Sequence, residues 1–335
     1  MSMGNRAMNK SQMTAWSAVV AIACALVLLA GSAPGIAQTW PTHTITAVVP
    51  LGAGSASDVM GRVVLDQVSR QIGQSIVVEN RPGAGGTIGT NMVAKAAPDG
   101  STILVYGALA IAHALYSKLP YSTLDDFVPV IPIGQQPLVL VTAPAKGYRV
   151  LADLITAAKA HPGMLNYSSA GIGSASHFAA ERLRVSAGVE AQHVTFRGAN
   201  EALTAVMSGQ VDFTYMPIAP ALPLIVDGKL VALAASAEKR AAQLPDVPTT
   251  VEAGLANSAY PFWSGLFVPV KTPREMVVRL HDETAKALRL ASVQERLAKL
   301  GVEPMPMSLD EFDKFFRDDV SANVQLVKAA SIPTQ

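Results

Sequence analysis

The chain of 335 residues contains one cysteine, Cys24, placed inside an N-terminal apolar run. Beyond that run there is no thiol. No disulfide, thiolate nucleophile or cysteine-based zinc or iron–sulfur site can therefore form there. An excess of one charge is also missing. The net charge is +1, and Arg6 and Lys10 are the only charged residues among the first 37, so the remainder carries −1. No basic stripe is present, which argues against nucleic acid as a partner. No second run is long and apolar enough to span a bilayer. The six histidines, at positions 43, 113, 161, 177, 193 and 281, form no helical pair flanking a glutamate of the kind that binds zinc. No loop has the glycine–x–serine–x–glycine elbow of a hydrolase. The expectation is a protein without catalytic machinery, without a metal and without a cofactor.

What is present begins with an export signal over residues 1–37. Arg6 and Lys10 make a positive start with no acid, residues 18–29 are a short apolar core, and Gly35-Ile36-Ala37 supplies small residues for cleavage before Gln38. The expected location is the periplasm. The apolar core is short for a membrane span, and an uncleaved anchor is the alternative. Cys24 would suit a lipoprotein, but apolar residues continue past it and no good lipobox precedes it. Removing 37 from 335 leaves 298 residues, enough for one large domain or two ordinary ones.

Strand and helix signals then alternate, the pattern of an α/β fold with mostly parallel sheets. Strands are expected at 45–49, 75–79 and "STILVY", with helices at 58–71 and after the glycine-rich turn "RPGAGGTIG" through residue 96. "VPVIPIG" and "PLVLVTA" follow. A second set starts near Val150, with helices at 151–160, 178–185 and 201–207 and strands at 165–169, 193–196, 211–216 and 229–235. The last third is helical. Thr272 to Glu275 and Ser308 to Glu311 read as capping boxes, which are stability features.

Two loops say nearly the same thing. "GAGSASD" (52–58) and "GIGSASH" (171–177) match at most positions, and each follows a strand and opens a helix. A helix N-terminus carries unpaired N–H groups and partial positive charge, so it attracts anions. Glycine permits close approach and serine adds a hydroxyl. Two such loops, one per strand–helix set, would grip the two ends of a dianion across a cleft. The plain alternative is that Ser57 and Ser176 only cap their own helices. A nucleotide is the other candidate, because Gly52-Ala53-Gly54 starts like a dinucleotide fingerprint and Glu79 ends the next strand. Ser57 holds the third-glycine position and Pro50 breaks the strand end, so that pattern is incomplete.

These residues resemble a known family. "WPTHTITAVVPLGAGSASDVMGR", "GQSIVVENRPGAGGTIGTNMVAKAAPDGSTILV", "LYSKLPYSTLDDFVPV", "FRGANEALTAVMSGQVDF", "LPDVPTTVEAG" and "WSGLFVPVKTP" are similar to the periplasmic solute-binding proteins of tripartite tricarboxylate transporters, the Bug proteins. The resemblance implies a two-lobed, flytrap-like (type II) periplasmic binding protein fold. Lobe one would be residues 40–142 and 265–335, and lobe two residues 143–264. It implies capture of a small carboxylate for delivery to membrane transporter subunits; docking of the closed form on a sensor receptor is the alternative role, and a monomer is expected. Its ligand loops map to Leu51, Gly54, Ser55, Ser57 and Asp58 in lobe one. In lobe two they map to Ser169, Gly173, Ser174 and His177, joined by the "FRG" turn at Arg197 and Gly198. Leu51 stands where the family usually has an aromatic, and Ser55 where a second glycine is common, which suggests a roomier, less stacked mouth.

Four side chains have two readings each. Asp58 either caps its helix and pairs with Arg62, or orders water at the ligand. His177 either packs and caps, or donates to a carboxylate, better when protonated. Arg197 either pairs with a carboxylate or is a solvated loop charge. Tyr215 either reaches the cleft or packs in the core.

Overall fold

The computed structural model describes residues 40–335, so the export signal, its cleavage site and Cys24 lie outside the described residues. Two separate sheets organise the chain. The first has strand order β11-β4-β10-β3-β1-β2, built from β1 (Ile45–Val49), β2 (Ile76–Asn80), β3 (Thr102–Tyr106), β4 (Phe127–Gln136), β10 (Phe262–Pro269) and β11 (Glu303–Pro304). The second has order β7-β6-β8-β5-β9, built from β5 (Leu138–Thr142), β6 (Asn166–Ser169), β7 (Gln192–Thr195), β8 (Phe213–Pro217) and β9 (Val231–Ala235).

The helices are α1 (Ala56–Ile72), α2 (Thr87–Ala94), α3 (Leu109–Leu115), α4 (Leu151–Ala160), α5 (Ala175–Ala187), α6 (Ala199–Met207) and α7 (Ile218–Val226), then α8 (Arg274–Arg289), α9 (Ala291–Lys299) and α10 (Leu309–Ala329). This is the expected two-lobed α/β architecture.

The sheets are mixed rather than mostly parallel. β1 pairs parallel with β2 and β3, and β6 with β7 and β8, as helical crossovers require. β10 runs antiparallel to β3 and β4, and β5 antiparallel to β8 and β9. A strand that arrives from the other sheet has no βαβ crossover to fix its direction, so it can pair either way. The handover occurs at Pro137, a single residue between β4 and β5 that has no N–H to donate to a ladder. Residues 138–142, counted from the sequence with the first lobe, therefore pair in the second sheet. Residues 262–264, counted with the second, pair in the first.

Each sheet has its own core. Val48, Leu104, Trp263, Phe267 and Phe312 cluster in the first, and Leu140, Tyr167, Phe213 and Tyr215 in the second. A further cluster joins Ile111 and Leu115 of α3 to Phe178 of α5 and to Leu326 and Val327 of α10. This cluster bridges the two halves.

Of the two expected capping boxes, one forms. The Ser308 hydroxyl accepts the Glu311 N–H at 3.3 Å, and the Glu311 carboxylate accepts the Ser308 N–H at 2.8 Å. At the other, Pro273 occupies the cap position. Thr272 thus falls one residue too early, and its hydroxyl is buried without a partner. Helices α3 ("LAIAHAL") and α7 ("IAPALPLIV") were not expected. Both are apolar almost all round, so they show no 3.6-residue alternation of polar and apolar faces.

Candidate ligand-binding cleft

The two similar loops are backbone twins. Gly54 has φ +79° and Gly173 φ +78°, the left-handed region that favours glycine. Ser55 follows at φ −63°, ψ 158° and Ser174 at φ −73°, ψ 159°. The Ser55 N–H donates to the Gly52 carbonyl at 3.2 Å, and the Ser174 N–H to the Gly171 carbonyl at 3.1 Å. The seventh residue of each loop then reaches back to the third. The Gly54 N–H donates to Asp58 Oδ2 at 2.8 Å, and the Gly173 N–H to His177 Nδ1 at 3.3 Å. The similarity of "GAGSASD" and "GIGSASH" thus encodes one turn made twice. The last residue locks each turn from behind.

The turns open α1 and α5 toward one cavity of about 840 Å³, lined from both sheets. The loop residues Leu51, Gly54 and Ser55 line it from the first sheet's side, and Gly173, Ser174 and Ser176 from the second. A third helix start joins them. Gly198 precedes α6, and Arg197, Gly198 and Ala199 line the same cavity. The starts of three helices therefore border one space, and a helix start carries N–H groups without intrahelical acceptors.

The serines differ in what they do. Ser174 Oγ accepts the His177 N–H at 3.3 Å, and Ser176 Oγ accepts the Ala170 N–H at 3.1 Å. Ser55 Oγ and Ser57 Oγ are buried with no partner among the described residues. A buried hydroxyl without a partner costs free energy of about 1–3 kcal/mol, so it favours any ligand that supplies one. Tyr215 adds a third such group. It is 1% exposed, it lines the cavity, and its hydroxyl has no partner. Burial pushes its pKa well above the usual tyrosine value, so the group stays protonated and able to donate. Tyr215 thus packs in the core and borders the cavity at once.

A model of the tripartite tricarboxylate transporter family receptor matches residues 60–332. The chain belongs to this family. BugT of Bordetella pertussis (strain Tohama I) is 34% identical over 313 residues, covering 92% of this chain and 95% of BugT. Two solved structures are similar throughout. One is an R. palustris protein with adipate, 30% identical with TM-score 0.80, covering 88% of this chain and 100% of that one. The other is MatC from Rhodopseudomonas palustris with bound malate, 33% identical with TM-score 0.76, covering 86% of this chain and 100% of MatC.

Not every residue that the family pattern singles out faces the cavity of this receptor. Asp58 is 3% exposed and turned into its own loop. Besides the Gly54 N–H it accepts Arg62 Nε at 2.9 Å and Asn80 Nδ2 at 3.0 Å, so the capping reading describes it fully. His177 is also 3% exposed and lies behind the second loop, against a smaller cavity of about 240 Å³. Its ring stacks on His193 with centroids 4.1 Å apart. Burial, with His193 and Arg184 nearby, pushes its pKa down to about 3. At neutral pH the ring is therefore uncharged, and its lone pair receives Gly173. The protonated donor considered from the sequence is replaced by a neutral acceptor. Ser169 is fully buried and bonded to His193 Nε2 at 2.6 Å, and Ser57 is fully buried too; neither lines the cavity.

Arg197 is exposed at the cavity, and its guanidinium makes no ion pair among the described residues. Glu79, the acid a ribose would need, pairs with Arg81 at 2.8 Å on the sheet edge and does not line the cavity. No group of three histidines, cysteines or acids able to hold a metal occurs among the described residues.

The sequence did not point to α3, Tyr106, Tyr116 or Phe262, all of which line the cavity. The spacing of Ala108, Ile111, Ala112 and Leu115 was the available signal, a single helical face within an apolar run.

Proposed function

We propose that this chain is an exported receptor, working in the periplasm as a monomer, that captures a small organic acid between two lobes. It delivers the acid to the membrane subunits of a tripartite transporter and catalyses no reaction. Strand pairing supports lobes of residues 43–136 with 262–335, and of residues 138–260. The lobes close about Pro137 and the segment before Phe262.

The observation that carries this reading is the pair of twin turns, one per sheet, whose helix starts face the same cavity. The carboxylate accepts first-turn N–H groups of α1 and α5, with Ser55, Ser174 and Tyr215 hydroxyls beside them. Adipate and malate on two relatives support a carboxylate as cargo. Each helix terminus contributes about 0.3–2 kcal/mol to an anion. A micromolar receptor needs about 8 kcal/mol, so hydrogen bonds and burial of the ligand body supply most of the affinity.

The test is thermal unfolding of residues 38–335, refolded to strip carried ligand, against organic acids, amino acids and NAD(H). A ligand at a hundred times its Kd adds about 2.7 kcal/mol, which moves Tm by several degrees. Shifts confined to carboxylates support the receptor. A shift with NAD(H) and none with any carboxylate contradicts it.

A further inference from the structure

The walls of the cleft differ in character from its loops. Among the described residues, two charged side chains line it, Arg197 and Glu201. The Glu201 carboxylate already accepts the Arg197 N–H at 3.3 Å. The other nearby acid, Asp58, is enclosed by three donors and faces away. Glu201 is exposed and screened by solvent, so a ligand ammonium buried against the inner walls would lose its water with no carboxylate beside it, at a large desolvation cost.

Ala108, Ile111, Ala112 and Leu115 stand three, four and seven positions apart, so they form one face of α3, and all four line the cavity. Across from this face, the second sheet's side contributes Ile172 and Met216. The two walls also approach closely: a Cβ on Gly173 would stand 2.9 Å from Leu115 Cδ2. A hydroxyl on the ligand body, laid against this face, would lose its water and meet carbon.

We infer that the cargo is a carboxylic acid with an unsubstituted apolar body, an alkyl chain or an aromatic ring, and not a hydroxy acid or an amino acid. The carboxylate sits on the turns and the body lies along the α3 face. This rests on the carboxylate-receptor reading above and narrows it. The cavity volume of about 840 Å³ leaves room for a body longer than four carbons.

The experiment is isothermal titration of residues 38–335 with two ligand sets. Succinate, malate and aspartate share one carbon skeleton and differ by hydrogen, hydroxyl and ammonium. Butyrate, hexanoate and octanoate share one carboxylate and differ in chain length. The expected order is succinate tighter than malate by at least about fivefold, with aspartate weakest. Along the chain series affinity rises by about fourfold per buried methylene.

Ile172 is 45% exposed, so Ile172→Asn should fold as the parent does, and it should flatten the chain-length dependence. Malate or aspartate binding as tightly as succinate, or affinity flat with chain length, overturns this inference while the receptor reading stands. Binding by none of the six acids overturns this inference; the receptor reading falls with it only if no carboxylate in the unfolding screen shifts Tm.

Discussion

Replacing Gly54 and Gly173 by alanine, one at a time, compares two positions with the same backbone and different surroundings. Both glycines hold φ near +80°, so alanine at either position is strained by about 1–2 kcal/mol. At Gly54 an added Cβ meets nothing within 4 Å. At Gly173 it would stand 2.9 Å from Leu115 Cδ2, on the other side of the cleft. Leu115 is 1% exposed and packed among Ile111, Phe178 and Leu326, so its methyl can yield only by leaving a preferred rotamer. That step costs about 0.5–1.5 kcal/mol more. Urea unfolding without ligand should therefore show Gly173→Ala less stable than Gly54→Ala by that margin, with equal m-values. Equal losses would refute the reasoning. They would mean that the loop after β6 and helix α3 stand apart in the free protein.

Further outcomes follow from the same geometry. Ser174→Ala removes a helix cap and should cost about 1 kcal/mol in urea unfolding. Ser55→Ala removes a hydroxyl that bonds nothing, so it should leave stability nearly unchanged and weaken carboxylate binding. Asp58→Ala removes the acceptor of the Gly54 N–H, of Arg62 and of one Asn80 N–H, while Asn80 keeps the Leu51 carbonyl, and should lower stability by about 1–2 kcal/mol, read as a fall in Tm. His177 and His193 have pKa values pushed down to about 3 and about 4, chiefly by burial, so the unfolded chain takes up protons below about 6.5 that the fold refuses. Their contribution is full above about 6.5 and is lost as pH falls toward 4. Asp319 works in the opposite sense. Burial raises its pKa to about 6, so its contribution is full below 3.8 and lost as pH rises through 6. Asp319→Asn should therefore steepen the acid-side loss of Tm between pH 6.5 and 4; an unchanged slope would contradict this.

The fold was legible where local pattern and tertiary fate coincide. The run "ITAVV" gave β1 and residues 151–160 gave α4 at the bounds observed, because β-branched density and an amphipathic period are local properties. The twin turns were legible for a related reason, since left-handed glycines and a capping serine must recur at fixed spacing. The work of Asp58 and His177 was not. Both sit at the seventh position of a turn, and only the closed turn shows that the side chain points inward to a glycine N–H. The neutrality of His177 comes chiefly from burial, to which the ring of His193 adds from 16 positions later, brought near by the pairing of β6 with β7. Helix α3 escaped notice because nearly all its residues are apolar, and Ile111 and Leu115, which line the cleft, also pack against α5 and α10. The lobe crossing at Pro137 was hidden because β4 and β5 read as consecutive strands, and only their partners separate them.

The central claim is that one carboxylate is held at the twin turns, and a crystal structure of residues 38–335 with hexanoate tests it most directly. The predicted result places the carboxylate oxygens about 2.7–3.2 Å from first-turn N–H groups of α1 and α5, with the chain along Ile111 and Leu115. A hexanoate carboxylate bound away from both turns, whether on Arg197 alone or in the smaller cavity beside His177, would contradict it.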